Sequence, residues 1–347
     1  MRYVIYGAGA IGGSIGGLLH EAGRDVVLIA RGPHLAALRR DGLRLRSPDD
    51  DRTLRVAAVG SPAEAEIEAD DVVVLAMKTQ DTEAALAELA AVAPPQAPIV
   101  CAQNGVENER LALRRFANVY AMLVVLPSEH LSPGVVEYAA APVAGVLDLG
   151  RYGAGADGAS GLRGAADADG AGADASSDPL AERVAADLTA AGFASRVTDN
   201  ALGWKYSKLL LNLGNAIEAA VGPAAASTGD LLERARAEAL ACYDAAAIAI
   251  PAPEVERERR AEMSPPRGID GRARAGGSSW QSLARGAGTV EADWLNGEIV
   301  LLGRLHGVPT PVNAALQRVA NQLARDRGTP GSLTVAAVEA AVGAATA

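Results

Sequence analysis

MRYVIYGAGAIGGSIGGLLHEAGRDVVLIAR, residues 1–31, is the stretch that decides the fold of this chain. The apolar run 3–6 predicts a buried strand, and it leads directly into the glycine-rich run Gly7-Ala8-Gly9-Ala10-Ile11-Gly12. A G-x-G-x-x-G pattern between a strand and a helix is typical of turns that bind the pyrophosphate of a dinucleotide. A second apolar run, 26–29, supplies the next strand at the distance that a βαβ unit requires. The stretch therefore predicts a Rossmann dinucleotide-binding unit.

Each glycine of this run has its own role in the prediction. Gly7 makes the tight turn, Gly9 leaves room for the phosphates, and Gly12 lets the helix lie close to the strand. The unpaired N–H groups at the helix N-terminus then face the diphosphate. The alternative is a merely structural glycine turn, which the strand, turn and helix context disfavours.

The end of the second strand predicts which dinucleotide is bound. NAD enzymes usually place Asp or Glu about 20 residues after the glycines, whereas NADP enzymes place a cation there for the 2′-phosphate. This chain has Arg31. Its guanidinium can bind a phosphate through two hydrogen bonds, and we expect no carboxylate nearby to repel that phosphate. The prediction is NADP(H), against the alternative of an ordinary solvent-facing arginine.

Length, charge and cysteine content limit the remaining classes. A chain of 347 residues predicts two domains at about 100–200 residues each. The formal net charge of −10 argues against nucleic acid or an anionic membrane as the main partner. We find no apolar run of about 18 residues and no signal peptide, so a cytoplasmic protein is expected. The two cysteines have no CxxC spacing and the four histidines no metal-ligand spacing, which predicts reduced thiols and no metal site.

The hydrophobic periodicity divides the chain into an α/β part and a helical part. Alternating strands and helices predict an NADP-binding Rossmann domain over 1–199, and helical spacing predicts an all-helical domain over 200–347. The predicted elements include short strands at 43–46 and 54–56, a sheet strand at 119–125 and a helix over 202–220. The tract 151–178 is poor in large apolar residues, which predicts a disordered loop. The stretch 251–277 is interpreted as a solvated segment, with a lid or a dimer contact as alternatives.

Several polar residues occupy positions where they can perform chemistry. Lys78 and Asn104 follow two apolar strands, at the sheet edge where ligands bind. Lys208 and Asn212 are four residues apart on a predicted helix, so they share a face. Glu291 falls on a helix predicted to start near 289. A partly desolvated lysine can protonate a carbonyl that is being reduced.

Taken alone, these residues are better explained as solvent-exposed helix residues and a helix cap than as catalytic residues. An amphipathic helix normally exposes Lys and Asn to water, and a glutamate at a helix start is commonly a cap. Lys205, on the same helix as Lys208, is a rival proton donor.

A series of short segments, taken together, adds a family context. They are GAGAIGG at 7–13, Arg31, Met77-Lys78, QNGVENE at 103–109, WKYSKLLLN at 204–212, Ser278-Ser279, EADWLNG at 291–297 and GRLHGVPTPVN at 303–313. Because of the order and spacing of these segments, the chain resembles the ketopantoate reductase family (2-dehydropantoate 2-reductases) over nearly its whole length.

The resemblance implies an N-terminal Rossmann domain, an all-helical C-terminal domain and an active site in the cleft between them. It implies NADPH-dependent reduction of 2-dehydropantoate to (R)-pantoate, a step of pantothenate biosynthesis. The implied partner is a small-molecule 2-oxo acid, and a homodimer is left open. Lys78 and Asn104 match residues that line the nicotinamide end of the cofactor, and Asn104 is also expected to contact the substrate.

The resemblance also implies roles for the polar residues of the second half. Lys208 matches the general acid that protonates the nascent alkoxide. Glu291 matches the acid that orients this lysine and a substrate hydroxyl. Asn212 and Ser279 match substrate-binding residues, with Ser279 directed to the carboxylate.

Two departures from the family pattern leave the substrate open. Ala216 stands where the family commonly has a second asparagine, with Asn215 one position early, and 278–283 lack the acid of the family's serine motif. Because such pocket changes alter discrimination without disturbing hydride transfer, a reductase of another 2-oxo acid or related carbonyl is the alternative. A third hypothesis is a non-catalytic NADP(H) redox sensor, which would have no reason to retain Lys208 and Glu291.

Overall fold

The structure is a computed structural model that describes residues 1–153, 178–226, 229–272 and 276–346. The chain forms two compact units, and each is described by itself. The first unit comprises residues 1–153, 178–205 and 251–272, and the second comprises 206–226, 229–250 and 276–346. The predicted boundary at 199–200 thus lies at 205–206 in the structure, within a helix.

A seven-stranded sheet forms the centre of the first unit. Its strands are β1 (Arg2–Tyr6), β2 (Asp25–Ile29), β5 (Ala57–Val59), β6 (Val72–Leu75), β7 (Ile99–Cys101), β8 (Val119–Val125) and β11 (Val146–Tyr152). Their spatial order is β11-β8-β7-β6-β1-β2-β5, and all neighbours are parallel except β11, which runs antiparallel to β8. The order reverses at β1, which is the point where open α/β sheets bind their ligands.

Helices cover both faces of this sheet. The helices of the first unit are α1 (Ala10–Glu21), α2 (Gly32–Asp41), α3 (Pro62–Ala65), α4 (Thr79–Ala90), α5 (Asn108–Leu113), α6 (Pro179–Ala190) and α11 (Pro253–Ala261). Tyr3 and Ile5 belong to the apolar core on one face, whereas Val4 and Tyr6 belong to the core on the other. Burial on both faces explains why β1 has a continuous apolar run. The predicted α/β fold with a Rossmann domain is confirmed.

A second, four-stranded sheet lies against α1. Its strands are β3 (Leu43–Arg46), β4 (Asp51–Leu54), β9 (Ser128–Ser132) and β10 (Val135–Tyr138), in the order β4-β3-β10-β9. The hydroxyls of Ser14 in α1 and Ser128 in β9 are 2.8 Å apart. The sequence predicted strands near β3 and β4, but not the β9–β10 hairpin.

The second unit is helical throughout the residues described. It contains α8 (Gly214–Val221), α9 (Pro223–Ala226), α10 (Leu231–Ala245), α12 (Ser278–Ala284), a 3-10 turn (Glu291–Trp294), α13 (Asn296–His306), α14 (Pro311–Arg325) and α15 (Val335–Thr346). The helix α7 (Ala201–Asn212) begins in the first unit and ends in the second. Its apolar residues pack with those of α8, α10, α13 and α14 in one core.

Some helix boundaries differ from the prediction. The helix predicted over 202–220 is two helices, α7 and α8, separated at Leu213. Glu291 lies on the 3-10 turn that precedes α13, and not within a longer helix. Thr310 occupies the N-cap of α14 without a side-chain cap bond; Glu238 instead accepts the N–H groups of Val312 and Asn313.

The stretch interpreted as a solvated segment is anchored to the first unit. It contains α11, from which Arg259 makes an ion pair with Asp148 of β11; these side chains are 4% and 0% exposed. Farther along, Arg267 pairs with Asp49 at 2.6 Å, and Arg272 pairs with Glu129 at 3.1 Å. Most residues of 251–272 are exposed, as expected of a solvated segment, but ion pairs at several points hold this stretch against the unit.

The ends of the tract predicted to be disordered have regular structure. Arg151 and Tyr152 belong to β11. Asp178 caps α6 by accepting the N–H groups of Leu180 and Ala181 at 3.1 and 3.0 Å. The rest of that tract, 154–177, lies outside the described residues.

Candidate active site

The glycine turn has the geometry that a dinucleotide requires. Gly7 has a φ of +102°, and a Cβ there would lie 2.7 Å from the Met77 nitrogen. A Cβ on Gly12 would lie 2.2 Å from the Gly7 oxygen, so α1 can approach β1 only with glycine at this place. A Cβ on Gly9 would meet nothing within 4 Å. The open side of the turn is thus at the N-terminus of α1, where phosphates bind, and these residues fit a dinucleotide.

The loops after β6 and β7 are joined by hydrogen bonds. Lys78 is the N-cap of α4. The Gln103 side-chain amide donates to the Met77 carbonyl at 3.1 Å, and the Asn108 amide donates to the Asn104 carbonyl at 3.1 Å. Lys78 and Asn104 are both half-buried. The structure therefore brings the two segments predicted to line the cofactor to one edge of the sheet.

Arg31 has a carboxylate partner, contrary to the sequence expectation. Its Nη2 donates to Glu88 Oε2 at 2.9 Å and to the Tyr6 hydroxyl at 3.1 Å. The Tyr6 hydroxyl donates to the same Glu88 oxygen at 2.6 Å. Burial, and then the bond to Glu88, raise the pKa of Tyr6 to about 12. The expectation of no nearby carboxylate was wrong because Glu88 lies 57 residues farther along the chain. Arg31 itself is 61% exposed and remains accessible.

The second unit holds the residues assigned to the substrate other than Asn104. Lys208 and Asn212 lie one turn apart on α7, and both are half-buried. Glu291 is 4% exposed, and its Oε2 accepts a hydrogen bond from the Ser278 hydroxyl at 3.1 Å. Ser279, in the first turn of α12, is 2% exposed. The buried Glu291 carboxylate thus contacts Ser278 at the start of α12, and the buried Ser279 is the next residue of this helix.

The two departures from the family pattern are neighbours in space. The Gly277 N–H donates to Glu218 Oε2 at 3.0 Å. A Cβ on Gly277 would lie 3.1 Å from Asn215 Oδ1. Asn215 and Glu218 therefore lie beside the residue that precedes Ser278. The sequence indicated that each segment was unusual, but not that the two segments touch.

A buried ion pair was missed by sequence reasoning. Lys205 Nζ donates to Glu109 Oε1, and the two side chains are 3% and 0% exposed. Glu109 Oε2 is buried without a hydrogen-bond partner among the residues described. Burial, with a further contribution from Glu109, raises the pKa of the Cys101 thiol well above its usual range. Since Lys205 is held by a buried carboxylate of the first unit, Lys208 is the better candidate for the proton donor.

Two further properties concern the residues that the structure describes. Among them, no group of three or more His, Cys, Asp or Glu side chains could hold a metal ion. None of their helices is both long and apolar enough to cross a membrane.

The Rossmann unit with its open glycine turn, followed by a helical unit, defines a class of dinucleotide-dependent oxidoreductases. Two models of one family match the chain. The model described as ketopantoate reductase PanE/ApbA matches residues 3–153, and its C-terminal counterpart matches 200–324. The chain belongs to the ketopantoate reductase family. It is accordingly an NAD(P)-dependent oxidoreductase that acts on a CH–OH group.

Individual relatives agree with this membership. A 2-dehydropantoate 2-reductase of Halobacterium salinarum is 29% identical over 339 residues, covering 94% of this chain and all of that protein. The crystal structure of a PanE/ApbA family ketopantoate reductase from Ralstonia eutropha has a TM-score of 0.74 at 27% identity, over 94% of this chain and 99% of that one. A D-mandelate dehydrogenase, solved with NADH and anilino(oxo)acetate, has a TM-score of 0.76 at 21% identity with the same coverage. This last likeness concerns the fold alone.

Proposed function

We propose that the protein uses NADPH to reduce a 2-oxo acid to the 2-hydroxy acid, with 2-dehydropantoate as the first candidate substrate. The observation that carries the proposal is in the second unit, where a lysine and an asparagine share one face of α7 and a buried Glu291 accepts from Ser278. The relatives named 2-dehydropantoate 2-reductase support this substrate.

The first unit would hold the cofactor. The N–H groups around Gly9 and the N-terminus of α1 would bind the pyrophosphate, and Arg31 would bind the 2′-phosphate of NADPH. Lys78 and Asn104 would line the nicotinamide end. When bound, the reduced nicotinamide supplies the hydride for the keto carbon.

The second unit would supply the proton and hold the acid. As negative charge develops on the carbonyl oxygen, the Lys208 ammonium donates a proton to it. A lysine beside the carbonyl oxygen suits this role because its ammonium carries the proton and also stabilises the developing negative charge. Glu291 orients the ammonium and accepts from a substrate hydroxyl, while Asn212 and Ser279 donate hydrogen bonds that fix the substrate, Ser279 at its carboxylate.

A different 2-oxo acid is the second candidate, and one observation favours it. Glu218 and Asn215 flank Gly277, directly before the serines assigned to the substrate. A carboxylate there favours a substrate side chain that donates hydrogen bonds. Reduction fits better than redox sensing without turnover, because sensing requires neither Lys208 nor Glu291.

The test measures NADPH oxidation with a panel of 2-oxo acids that includes 2-dehydropantoate. In Lys208→Ala, we expect kcat to fall by about 10²–10⁴ while the Kd for NADPH stays unchanged, since the lysine acts on the carbonyl. The matched control is Lys205→Met/Glu109→Leu, which removes the other lysine of this helix together with its partner.

Two results would contradict the proposal. If Lys208→Ala turns over at a near-normal rate and the control variant does not turn over, Lys208 is not the proton donor. If the wild-type protein does not oxidise NADPH with any 2-oxo acid of the panel, it is not a 2-oxo acid reductase.

A further inference from the structure

His34 of α2 is hydrogen-bonded through both ring nitrogens. Its Nδ1 lies 2.9 Å from the Gly134 nitrogen, and its Nε2 lies 2.7 Å from the Ala8 oxygen. An amide N–H can only donate, so Nδ1 accepts and carries no proton. The proton of the neutral ring is therefore on Nε2 and is donated to the Ala8 carbonyl. These two bonds fix one tautomer of the imidazole.

The surroundings of the ring keep it in this state. Burial lowers the pKa of His34, which favours the neutral imidazole that the bond from Gly134 requires. The ring of His130 lies against it, with 4.2 Å between the ring centroids. Gly134 is in the turn between β9 and β10, so His34 connects the β9–β10 hairpin to the glycine turn.

The bond to Ala8 determines how the next peptide group is oriented. The Ala8 N–H donates to the Ile29 carbonyl at 3.2 Å, while the Ala8 carbonyl accepts from His34. In a trans peptide the C=O and the following N–H point in opposite directions. The Gly9 N–H consequently points away from His34. A Cβ on Gly9 would meet nothing within 4 Å, so the space beside this residue is open.

We propose that His34 is a positioning residue of the pyrophosphate site, because it holds the Ala8–Gly9 peptide with its N–H directed toward the bound diphosphate. The inference rests on the proposed function only in requiring that the protein binds a dinucleotide. Through this peptide, His34 affects the binding of the pyrophosphate, which NADPH and NADH share. Arg31, in contrast, acts on the 2′-phosphate, which only NADPH has.

Two substitutions of His34 test its two hydrogen bonds one at a time. His34→Gln places a side-chain amide where Nε2 was and can still donate to Ala8. His34→Asn has a shorter side chain, whose amide replaces Nδ1, and it cannot reach Ala8. The Kd values of NADPH, NADH and 2′-AMP are measured by titration for the wild type and both variants. 2′-AMP carries the 2′-phosphate without a pyrophosphate and reports on the rest of the adenosine site.

In His34→Asn, we expect NADPH and NADH to bind about tenfold more weakly, with their ratio unchanged, as loss of one well-placed hydrogen bond predicts. His34→Gln should stay within about threefold of the wild type. The Kd of 2′-AMP should be the same in all three proteins. ¹⁵N NMR of the wild type should show His34 as the Nε2–H tautomer.

The inference is overturned if His34→Asn binds both dinucleotides as the wild type does, or if the Gln variant loses as much affinity as the Asn variant. It is also overturned if 2′-AMP binding falls in parallel, which would indicate general unfolding, or if His34 is the Nδ1–H tautomer. A wild-type protein that binds neither dinucleotide would overturn the proposed function too, so the two failures are distinguishable.

Discussion

Lys205→Met removes one partner of the buried pair with Glu109, and we expect it to lower the free energy of unfolding of the first unit by about 3–5 kcal/mol. The magnitude follows from burial. The side chains are 3% and 0% exposed, so the remaining carboxylate has neither water nor a cation to compensate its charge. For a unit of this size the loss corresponds to a fall in Tm of roughly 6–20 °C.

Lys205→Met/Glu109→Leu should recover most of this loss. The ion pair is imperfect, because Glu109 Oε2 is buried without a hydrogen-bond partner in the described part of the chain. Replacing both charges with apolar groups of similar volume removes the desolvation cost of the pair as well as its attraction, and such replacements are often neutral or stabilising.

Thermal and urea unfolding of the wild type, both single variants and the double variant complete a double-mutant cycle. Circular dichroism and tryptophan fluorescence are recorded together, since two units need not unfold in one transition. A cost below about 1 kcal/mol for Lys205→Met would refute the reasoning, as would a double variant no more stable than the single one.

Two further predictions concern the cofactor and the thiols. Glu88→Gln should lower the Kd of NADPH by up to about fivefold and leave that of NADH unchanged, because an exposed ion pair that competes for Arg31 contributes about 0.2–1 kcal/mol. Both nucleotides are titrated against the wild type and the variant, and the same ratio of the two Kd values in both proteins would contradict this prediction. Iodoacetamide at pH 8 should modify neither Cys101 nor Cys242 in the folded protein and both in urea, since both are buried and burial raises the pKa of Cys242 to about 11; rapid labelling of the folded protein would contradict this.

The parts of the fold that the sequence predicted are those with local signals. β1, β8 and the glycine turn follow from continuous apolar runs and from glycines at fixed spacing. The β9–β10 hairpin was missed because SEHLS, the sequence of β9, is mostly polar and does not alternate clearly. The break between α7 and α8 was missed because apolar residues continue at helical spacing across Leu213.

The contacts that the sequence could not predict join distant positions. Lys205 and Glu109 are 96 residues apart, and Arg31 and Glu88 are 57 apart. Nothing in either member of such a pair indicates its partner, because a lysine or glutamate in a polar context looks the same whether it is paired or solvated. The candidate site was therefore predicted as a set of residues, and the bonds that hold them required the structure.

The pairing of Asp148 with Arg259 also bears on the order in which the protein is made. Arg259 follows Asp148 by 111 residues, and residues 206–250, which lie between them, belong to the other unit. During synthesis on the ribosome, β11 therefore emerges well before the arginine that neutralises its buried carboxylate. The first unit therefore receives its last segment, 251–272, only after residues 206–250 of the second unit have been translated.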